Sequence, residues 1–403
     1  MRKKHILVVS QYFYPEQFRV NDICEQWVKD GYKVTVLTGI PNYPQGEFYE
    51  GYGLKSKRKE TWNGIDIVRI PITPRKSGKI KLAMNYMSFV LSGLIWSLFT
   101  KVKADVVFIY EVSPMTQALP GVWYAKKKNI PCYLYVMDLW PENVESVLGI
   151  HNKYVLGGIG GLVDYIYKRC DKIFTSSQSF IEKIKKRGVE QDKLEFWPQY
   201  AEDFYIKYKE EFECEIPKDG ILNLTFAGNI GYAQGLNVLV ETAKRLKQKQ
   251  EKVRFNIVGD GRFKHEFVNL VREYELEEYF NFIEKKPATD IPKYLSCSDA
   301  ALITLSRSDV FAMTIPAKMQ SCMACGIPII GCLDGEAEKV INAAKCGFCG
   351  PSGDASRLEE NIILFKNMSI DKKTEYADNA LEYYKNNFDK TILMKKMEKY
   401  INK

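Results

Sequence analysis

The stretch SRSDVFAMTIPAKMQSCMACGIPIIG, residues 306–331, predicts a loop, then a helix, then a buried strand. Pro316 suits the first turn of the helix, where an N–H group is not needed. Ile327–Ile330, an apolar run bounded by glycines, is the expected strand. The helix start favours an anion such as phosphate, and its polar residues are Thr314, Lys318, Gln320 and Ser321. An ordinary loop–helix–strand unit of a parallel sheet is the alternative, and the rest of the chain must decide.

The totals indicate a soluble protein of two domains. The chain has 403 residues, of which 46% are apolar and 27% charged, as in ordinary globular proteins. Its net charge of +8 is too small to indicate nucleic-acid binding, so no nucleic acid is expected as a partner. The first five residues run directly into a strand-like segment, so no cleavable signal peptide is expected.

Ten cysteines are scattered without a disulfide framework, which indicates reduced thiols in a cytoplasm. Two pairs, Cys322 with Cys325 and Cys346 with Cys349, have the spacing of a four-cysteine zinc site. The first pair falls within the predicted helix, however, and buried thiols behave as small hydrophobic groups. We therefore favour buried thiols over zinc and expect no metal site.

The N-terminal half opens like a doubly wound domain. A strand at HILVVS is followed by the loop YFYPEQFR, a helix over 20–30 and a strand at Lys33–Thr38. Such sheets bind ligands at the carboxyl ends of their parallel strands, so the loop is a candidate ligand segment. The dinucleotide fingerprint of three spaced glycines is absent.

The alternation of strands and helices continues and then restarts after a polar stretch. A strand over 131–137 delivers Asp138-Leu-Trp-Pro-Glu142 at its carboxyl end. We expect a first domain over 1–200, a linker over 201–219, a second domain over 220–385 and a C-terminal helix over 386–403. The segment 39–60, rich in Pro, Gly and Tyr, is predicted as a long loop.

The most hydrophobic segment is Leu82–Phe99, which carries no charge and has lysines and an arginine on both sides. A membrane span would place the strands on its two sides across a bilayer and break the sheet. We therefore expect a helix packed on the sheet that also touches a membrane surface, with residues 75–103 making the peripheral contact. A fully buried core helix is the alternative.

Three loops of the second domain are expected at strand ends: Gly228–Gly235, Gly259–Arg262 and Ser306–Gln320. Glycines allow backbone N–H groups to approach phosphates closely. Each loop alone is a weak signal. The occurrence of three in one domain favours a ligand that carries phosphate.

Taken together, these motifs resemble glycosyltransferase family 4 of the GT-B fold, over essentially the whole chain. The resemblance rests on PEQFR, DLWPE, AGNIGYAQGL, VGDGRFK, TIPAKMQSCMACGIPIIG and Gly335-Glu336, and it is greatest to bacterial enzymes thought to transfer N-acetyl-L-fucosamine. It implies an α/β fold of two Rossmann-like domains facing across a cleft, with C-terminal helices that cross back to the first domain.

The resemblance also implies the activity. The second domain would hold a UDP-sugar, and the first would hold a saccharide on polyprenyl diphosphate at the cytoplasmic face of the inner membrane. Transfer would retain the anomeric configuration and require no metal or other cofactor. The product would belong to a surface polysaccharide such as O-antigen or capsule.

The residues assigned by this comparison fall into three sets. The catalytic pair is Asp138 and Glu142. The donor-binding set is Gly228, Asn229, Gly231, Gln234, Arg262, Thr314, Lys318, Gln320, Ser321 and Glu336, and the acceptor-binding set is Tyr14, Glu16, Arg19, Asn42 and Tyr43. Asn229 and Gln234 stand where many members carry the Arg and Lys that hold the diphosphate, so that role falls mainly to Lys318, helped by Arg262. Met313 and Ser321 occupy the positions of the usual glutamate pair, so ribose binding would fall to Gln320 or Ser321.

Two other functions fit the same architecture. A UDP-sugar epimerase would convert its substrate without an acceptor, and it would leave the apolar segment unexplained. A non-catalytic membrane-surface partner in polysaccharide assembly would bind no nucleotide sugar.

Overall fold

The computed structural model describes residues 3–208 and 213–403, and the chain forms two compact units. The first unit is Met1–Trp197 together with Lys396–Lys403, and the second is Pro198–Lys395. The C-terminal residues therefore return to the first unit, where the Tyr400 hydroxyl donates a hydrogen bond to Glu195 Oε2 at 2.6 Å. Residues 209–212 of the predicted linker lie outside the described residues.

The first unit contains an eight-stranded sheet with the order β3-β4-β2-β1-β5-β6-β7-β8. Its strands are β1 (His5–Val9), β2 (Lys33–Thr38), β3 (Lys59–Trp62), β4 (Ile65–Arg69), β5 (Val106–Glu111), β6 (Cys132–Val136), β7 (Lys172–Thr175) and β8 (Leu194–Phe196). All pairs are parallel except the β3–β4 hairpin. The central strands are buried along their length, as expected when helices cover both faces.

Six helices belong to this unit: α1 (Arg19–Lys29), α2 (Lys79–Phe99), α3 (Leu119–Lys128), α4 (Glu142–Leu148), α5 (Lys153–Arg169) and α6 (Gln178–Lys185). The helix α1 turns Val20, Ile23 and Trp27 into the core, which is the spacing of one helical face. The hairpin strand β3 falls in the segment predicted as loop, because its alternate residues are exposed and it contains no apolar run.

The second unit contains a six-stranded, wholly parallel sheet with the order β11-β10-β9-β12-β13-β14. Its strands are β9 (Leu222–Asn229), β10 (Val253–Asp260), β11 (Phe280–Ile283), β12 (Ala300–Thr304), β13 (Ile329–Cys332) and β14 (Gly347–Gly350). The strand predicted at Ile327–Ile330 begins two residues later, at Ile329. Proline has no N–H group to donate, so Pro328 contributes only its carbonyl oxygen, which accepts a hydrogen bond from Ala301 N.

The remaining helices are α7 (Asn237–Gln248), α8 (Lys264–Glu273), α9 (Ile291–Ser296), α10 (Asp309–Ala312), α11 (Ala317–Ala324), α12 (Glu336–Ala344), α13 (Ala355–Lys366), α14 (Ile370–Asn387) and α15 (Lys390–Ile401). Pro316 is the N-cap residue of α11, one position before the first turn in which the sequence placed it. Aliphatic side chains of α7 and α13 pack with Phe226, Phe255 and Phe267 in one continuous core.

The helix α2 is apolar and long enough to cross a membrane by length and composition, yet it packs within the first unit. Its neighbours β4 and β5 lie in the same sheet, so both connections lead back to one layer. Gly93 allows close contact with α3, because a Cβ atom there would lie 2.2 Å from Pro120 Cγ. The opposite face is exposed and apolar, with Ile80, Met84, Met87, Leu91, Leu94, Ile95, Leu98 and Phe99.

Candidate active site

In the second unit, the first two glycine loops meet at the carboxyl ends of β9 and β10. Gly259 pairs with Gly228 in the sheet and has φ +149°, and a Cβ atom there would lie 2.0 Å from the Gly228 carbonyl oxygen. Ile230 N donates to Asp260 O at 2.8 Å, which joins the two loops. Only glycine fits this approach, so backbone atoms dominate the surface here.

The third loop joins them through the end of β12. Ser306 N donates to Ala233 O at 3.0 Å, and Thr304 Oγ1 donates to Gln234 O at 2.6 Å. The three segments that the sequence singled out therefore converge at one edge of the second sheet. This arrangement is the one in which parallel sheets bind ligands.

Lys318, in the first turn of α11, is a cation at this edge. Its ammonium lies 3.9 Å from the centre of the Phe226 ring and donates a hydrogen bond to Gln234 Oε1. The ammonium also lies 3.7 Å from the point where a Cβ atom of Gly228 would stand. Desolvation lowers the pKa of Lys318 to about 7, since no carboxylate among its recorded partners offsets the lost hydration. An anion at Gly228 would restore the charged form.

Gln320 and Ser321 are turned toward the protein rather than toward this edge. Gln320 is fully buried. When its amide group is oriented to satisfy its hydrogen bonds, the nitrogen donates to the carbonyl oxygens of Pro316 at 2.9 Å and Ala317 at 3.1 Å. Ser321 Oγ donates to Ala317 O at 3.3 Å. Both side chains satisfy the backbone of their own helix, which argues against the ribose-binding role predicted for them.

The other predicted donor residues lie around the same loops. Asn229 and Arg262 are exposed, and the Asn229 amide lies close to Gly231. Thr314 is half-buried, and its hydroxyl donates to Phe311 O at 2.8 Å. Glu336 is buried at the first turn of α12, where a carboxylate is favoured, and it forms an ion pair with Lys339 at 3.0 Å.

In the first unit, Asp138 follows β6 and holds the adjacent strand-end loop. Its Oδ2 atom accepts a hydrogen bond from Ser113 N at 2.7 Å. Trp140 Nε1 donates to Ser113 Oγ at 3.1 Å. Asp138 therefore has a structural role as a loop cap. It is also half-exposed at the end of the strand.

Glu111, the last residue of β5, was not identified from the sequence. Its side chain is fully buried. Burial, and next the negative charge of Asp138, raise the pKa of the Glu111 carboxyl well above its usual range, although backbone N–H groups of Asp138 and Met137 oppose the shift. The buried Glu111 carboxyl thus interacts electrostatically with Asp138. The signal in the sequence that could have identified Glu111 was an acidic residue at the end of an apolar strand.

Glu142 begins α4 and is half-buried. Its Oε2 atom is buried and has no hydrogen-bond partner among the described residues. The negative charges of Glu111 and Glu142 both act on the buried Tyr167 hydroxyl, after desolvation, to raise its pKa. The two predicted catalytic carboxyl groups therefore belong to one acidic and aromatic cluster.

Glu16, predicted to contact the acceptor, instead binds the protein backbone. Its carboxylate accepts hydrogen bonds from the N–H groups of Asn42 (2.7 Å), Tyr43 (2.7 Å) and Phe13 (3.2 Å). Burial raises the pKa of Glu16 to about 7, and these N–H groups partly offset that rise. Glu16 and the fully buried Asn42 therefore hold the first-unit loops together, so neither side chain contacts a ligand directly.

The remaining predicted acceptor residues have unequal access. Tyr14 stacks on Trp62, with ring centres 4.3 Å apart. Arg19 begins α1 and is half-buried. Tyr43 is 37% exposed, and its ring packs at 5.5 Å from both Tyr12 and Phe18. Tyr43 is thus the most accessible aromatic surface of this set.

Over residues 3–208 and 213–403, no group of three or more His, Cys, Asp or Glu side chains is arranged to hold a metal ion. The four cysteines with zinc-like spacing are included in that range. Burial raises the pKa of the Cys322 thiol to about 12 and that of the Cys346 thiol to about 12, as for packed neutral thiols.

Comparison with known proteins extends over both units. Residues 18–199 match the model for Glycosyltransferase Family 4, and residues 209–383 match that for Glycosyl transferases group 1. Among curated relatives, the putative colanic acid biosynthesis glycosyltransferase WcaL of Escherichia coli (strain K12) is 21% identical, over 84% of this chain and 78% of the relative. The putative colanic acid biosynthesis glycosyl transferase WcaI of the same organism is 25% identical, over 76% of each.

Solved structures share the whole fold. Sucrose-phosphate synthase from Thermosynechococcus elongatus superposes with a TM-score of 0.75 at 14% identity, covering 99% of this chain and 98% of that one. Anabaena Alr3699/HepE, solved with UDP and glucose, gives 0.71 at 14% identity, with 99% of each chain covered. The chain is therefore a glycosyltransferase of the GT-B fold, with a family 4 domain followed by a group 1 domain.

Proposed function

We propose that this glycosyltransferase moves a sugar from a UDP-sugar to a saccharide on polyprenyl diphosphate, during synthesis of a bacterial surface polysaccharide. The transfer retains the anomeric configuration and needs no metal ion. The sugar is an N-acetylated deoxyhexosamine such as N-acetyl-L-fucosamine. The enzyme works as a peripheral protein at the cytoplasmic face of the membrane.

The observation that carries the proposal is the position of Lys318. Its ammonium lies beside Gly228, at an edge where the two glycine loops meet the loop that follows β12. A diphosphate there receives backbone N–H groups and one cation, which are the groups that stabilise charge on a departing nucleotide. Because burial lowers the pKa of Lys318 to about 7, a bound diphosphate would raise it again and gain binding energy from doing so.

We choose UDP as the nucleotide because solved structures with the same fold contain UDP-sugars. Anabaena Alr3699/HepE was solved with UDP-glucose, and an Escherichia coli trehalose-6-phosphate protein was solved with UDP-2-fluoro glucose. Both are distant relatives that share the fold. The choice of an N-acetylated deoxyhexosamine rests on the motif resemblance alone.

Asp138 supplies the chemistry on the acceptor side. In a retaining transfer the departing diphosphate takes the proton of the acceptor hydroxyl, and Asp138 orients that hydroxyl and the sugar. One carboxylate oxygen of Asp138 is occupied by Ser113 N. The other oxygen and Glu142 are the groups available for a substrate hydroxyl. Burial raises the pKa of the Glu111 carboxyl, which favours Asp138 over Glu111 as the charged member of the pair.

The acceptor is assigned from relatives and from α2. Relatives are named for colanic acid, amylovoran and O-antigen biosynthesis. The exposed face of α2 is apolar, and lysines and one arginine flank it within 75–103. An apolar face with basic flanks suits the interface of an anionic membrane.

Isothermal titration with UDP and GDP tests the donor site. We expect UDP to bind the wild-type protein, and Lys318→Met to weaken binding about 10- to 100-fold, the loss of one charge-assisted contact. Lys285→Met, which removes an exposed cation of the same unit, is the matched control and should change nothing. Binding of GDP but not UDP would overturn the choice of nucleotide.

The release of UDP tests the reaction. With candidate UDP-sugars, we expect UDP to appear only when a lipid-diphosphate saccharide is present. Conversion of the sugar without an acceptor would indicate the epimerase instead. A protein that binds no nucleotide sugar would contradict the proposal and favour a non-catalytic role.

A further inference from the structure

Arg75 lies in the connection before α2, close to both the apolar helix face and the acidic cluster of the first unit. We infer that Arg75 binds the diphosphate of the acceptor and so determines which acceptors the enzyme uses. The inference rests on the proposed transfer to a polyprenyl-diphosphate saccharide.

The guanidinium of Arg75 is held by groups that leave its charge uncompensated. Its Nη1 atom donates to the Tyr12 hydroxyl at 3.3 Å, and the guanidinium carbon lies 5.1 Å from the centre of the Tyr43 ring. Neither partner is an anion, and within the described part of the chain no carboxylate forms an ion pair with Arg75. Aromatic faces hold a guanidinium without neutralising it, so the group remains available to a phosphate.

The backbone at Arg75 is also fixed. Arg75 N donates to Asn42 Oδ1 at 3.0 Å, and Asn42 N donates to Glu16 Oε1 at 2.7 Å. Asn85 of α2 donates to Thr73 O at 2.5 Å. The buried network that removes Glu16 and Asn42 from direct substrate contact therefore positions Arg75. A pre-positioned arginine loses little freedom when it binds a phosphate.

Arg75 has an apolar surface on one side. The first turns of α2 expose Ile80, Met84 and Met87, which are 79%, 55% and 51% accessible. A hydrocarbon chain can lie on these side chains. Arg75 itself is half-buried between rings, unlike the exposed Lys76, Lys79 and Lys81 beside it, so it is better placed for a single ligand than for a membrane surface.

The acidic cluster lies on its other side. Arg75 and Asp138 both act electrostatically on Tyr86 of α2, where burial raises the tyrosine's pKa, Arg75 lowers it and Asp138 raises it. The apolar turns of α2, Arg75 and Asp138 therefore belong to the same part of the first unit. A polyprenyl chain, its diphosphate and its terminal sugar need an apolar surface, a cation and a hydrogen-bonding group in one such region.

The test compares two acceptors in neutral detergent micelles. Both carry the same saccharide on the same short prenyl chain, joined by a diphosphate in one and by an ether in the other. The proteins are wild type, Arg75→Gln, Arg75→Lys and Lys55→Gln, the last removing an exposed cation from another loop of the same unit. Transfer rates give kcat and KM, and titration with UDP reports the donor site.

We expect Arg75→Gln to raise KM for the diphosphate acceptor about 10- to 100-fold, with little change for the ether acceptor and none in UDP affinity. Arg75→Lys should recover part of the loss, since it keeps the charge but not the planar fork, and Lys55→Gln should match wild type. Equal losses on both acceptors, or no loss, would overturn the role of Arg75 while leaving the proposed function intact. Failure of the wild type to use the diphosphate acceptor would overturn both.

Discussion

The two units share one architecture but prepare their strand ends in opposite ways. In the second unit, Gly228 and Gly259 bring backbone atoms together, and Lys318 adds one cation. In the first unit, the strand ends carry Glu111 and Asp138, and the Glu16 carboxylate holds the loops that follow β1 and β2. The parallel sheet thus provides only a place for a ligand. The residues at each edge set the chemistry that the edge can offer to a ligand.

The largest expected effect comes from Asp138→Asn in the first unit. The amide oxygen can still accept the hydrogen bond from Ser113 N, so the loop should keep its conformation. The charge is lost, and we expect kcat to fall about 100-fold or more while UDP affinity stays within twofold. Full transfer by this variant, measured on the right substrate pair, would remove Asp138 from the mechanism. The same measurement on Glu142→Gln shows whether Glu142 contributes to transfer separately from Asp138.

The next largest effect concerns membrane binding, which we assign to the exposed apolar face of α2 in the first unit. Leu91→Ser combined with Ile95→Ser removes two side chains of α2 that are 58% and 60% exposed. Each loses roughly 1 kcal/mol or more of apolar transfer energy, so binding to anionic vesicles should weaken about 10- to 100-fold in a sedimentation assay.

The matched control for the membrane surface is Leu364→Ser combined with Ile370→Ser, which removes exposed apolar side chains from the second unit. We expect vesicle binding to be unchanged there, and UDP affinity to be unchanged in both double variants. Equal weakening in the two would mean that α2 has no special role.

A pH titration tests whether the donor edge depends on one cation. Burial lowers the pKa of Lys318 to about 7, so the free protein carries the ammonium below that pH and loses it above. If only the charged form binds diphosphate, UDP affinity should fall about tenfold per pH unit between pH 7.5 and 8.5. Lys318→Arg, which stays charged, should flatten the profile, and calorimetry at each pH measures both. An equally steep profile in that variant would assign the titration to another group.

The smallest effect concerns the stability of the first-unit loops. Burial raises the pKa of Glu16 from 4.5 to about 7, so its favourable contribution is complete below pH 4.5 and is lost as pH rises through 7. The free energy of unfolding should therefore fall by at most about 1.4 kcal/mol per pH unit between pH 5 and 7. Glu16→Gln does not titrate and should remove that slope in denaturant titrations. The same slope in both proteins would show that Glu16 does not cause it.

The sequence predicted which residues lie at the strand ends better than it predicted the direction of individual side chains. Lys318, Gly228 and Asp138 lie where the pattern placed them, because carboxyl ends of parallel strands meet at one edge. Gln320 and Ser321 have the right position along the chain, but they face inward to bond their own helix. Glu16 lies in the predicted loop, but its carboxylate accepts hydrogen bonds from backbone N–H groups. Spacing along a chain does not reveal which way a polar side chain turns when several backbone partners compete for it.

By itself, the sequence determined the two doubly wound units and the two glycine loops of the second unit, since these follow from apolar runs and from glycines at strand ends. The family followed from the resemblance of its motifs. Only the tertiary structure decided that Glu111 is buried beside Asp138, that the Lys318 ammonium lies on the Phe226 ring, and that Arg75 is held by Tyr12 and Tyr43. Each of these depends on residues brought together from distant parts of the chain. The local dielectric and the partners of a charged group, and therefore its pKa and availability, are set by that packing.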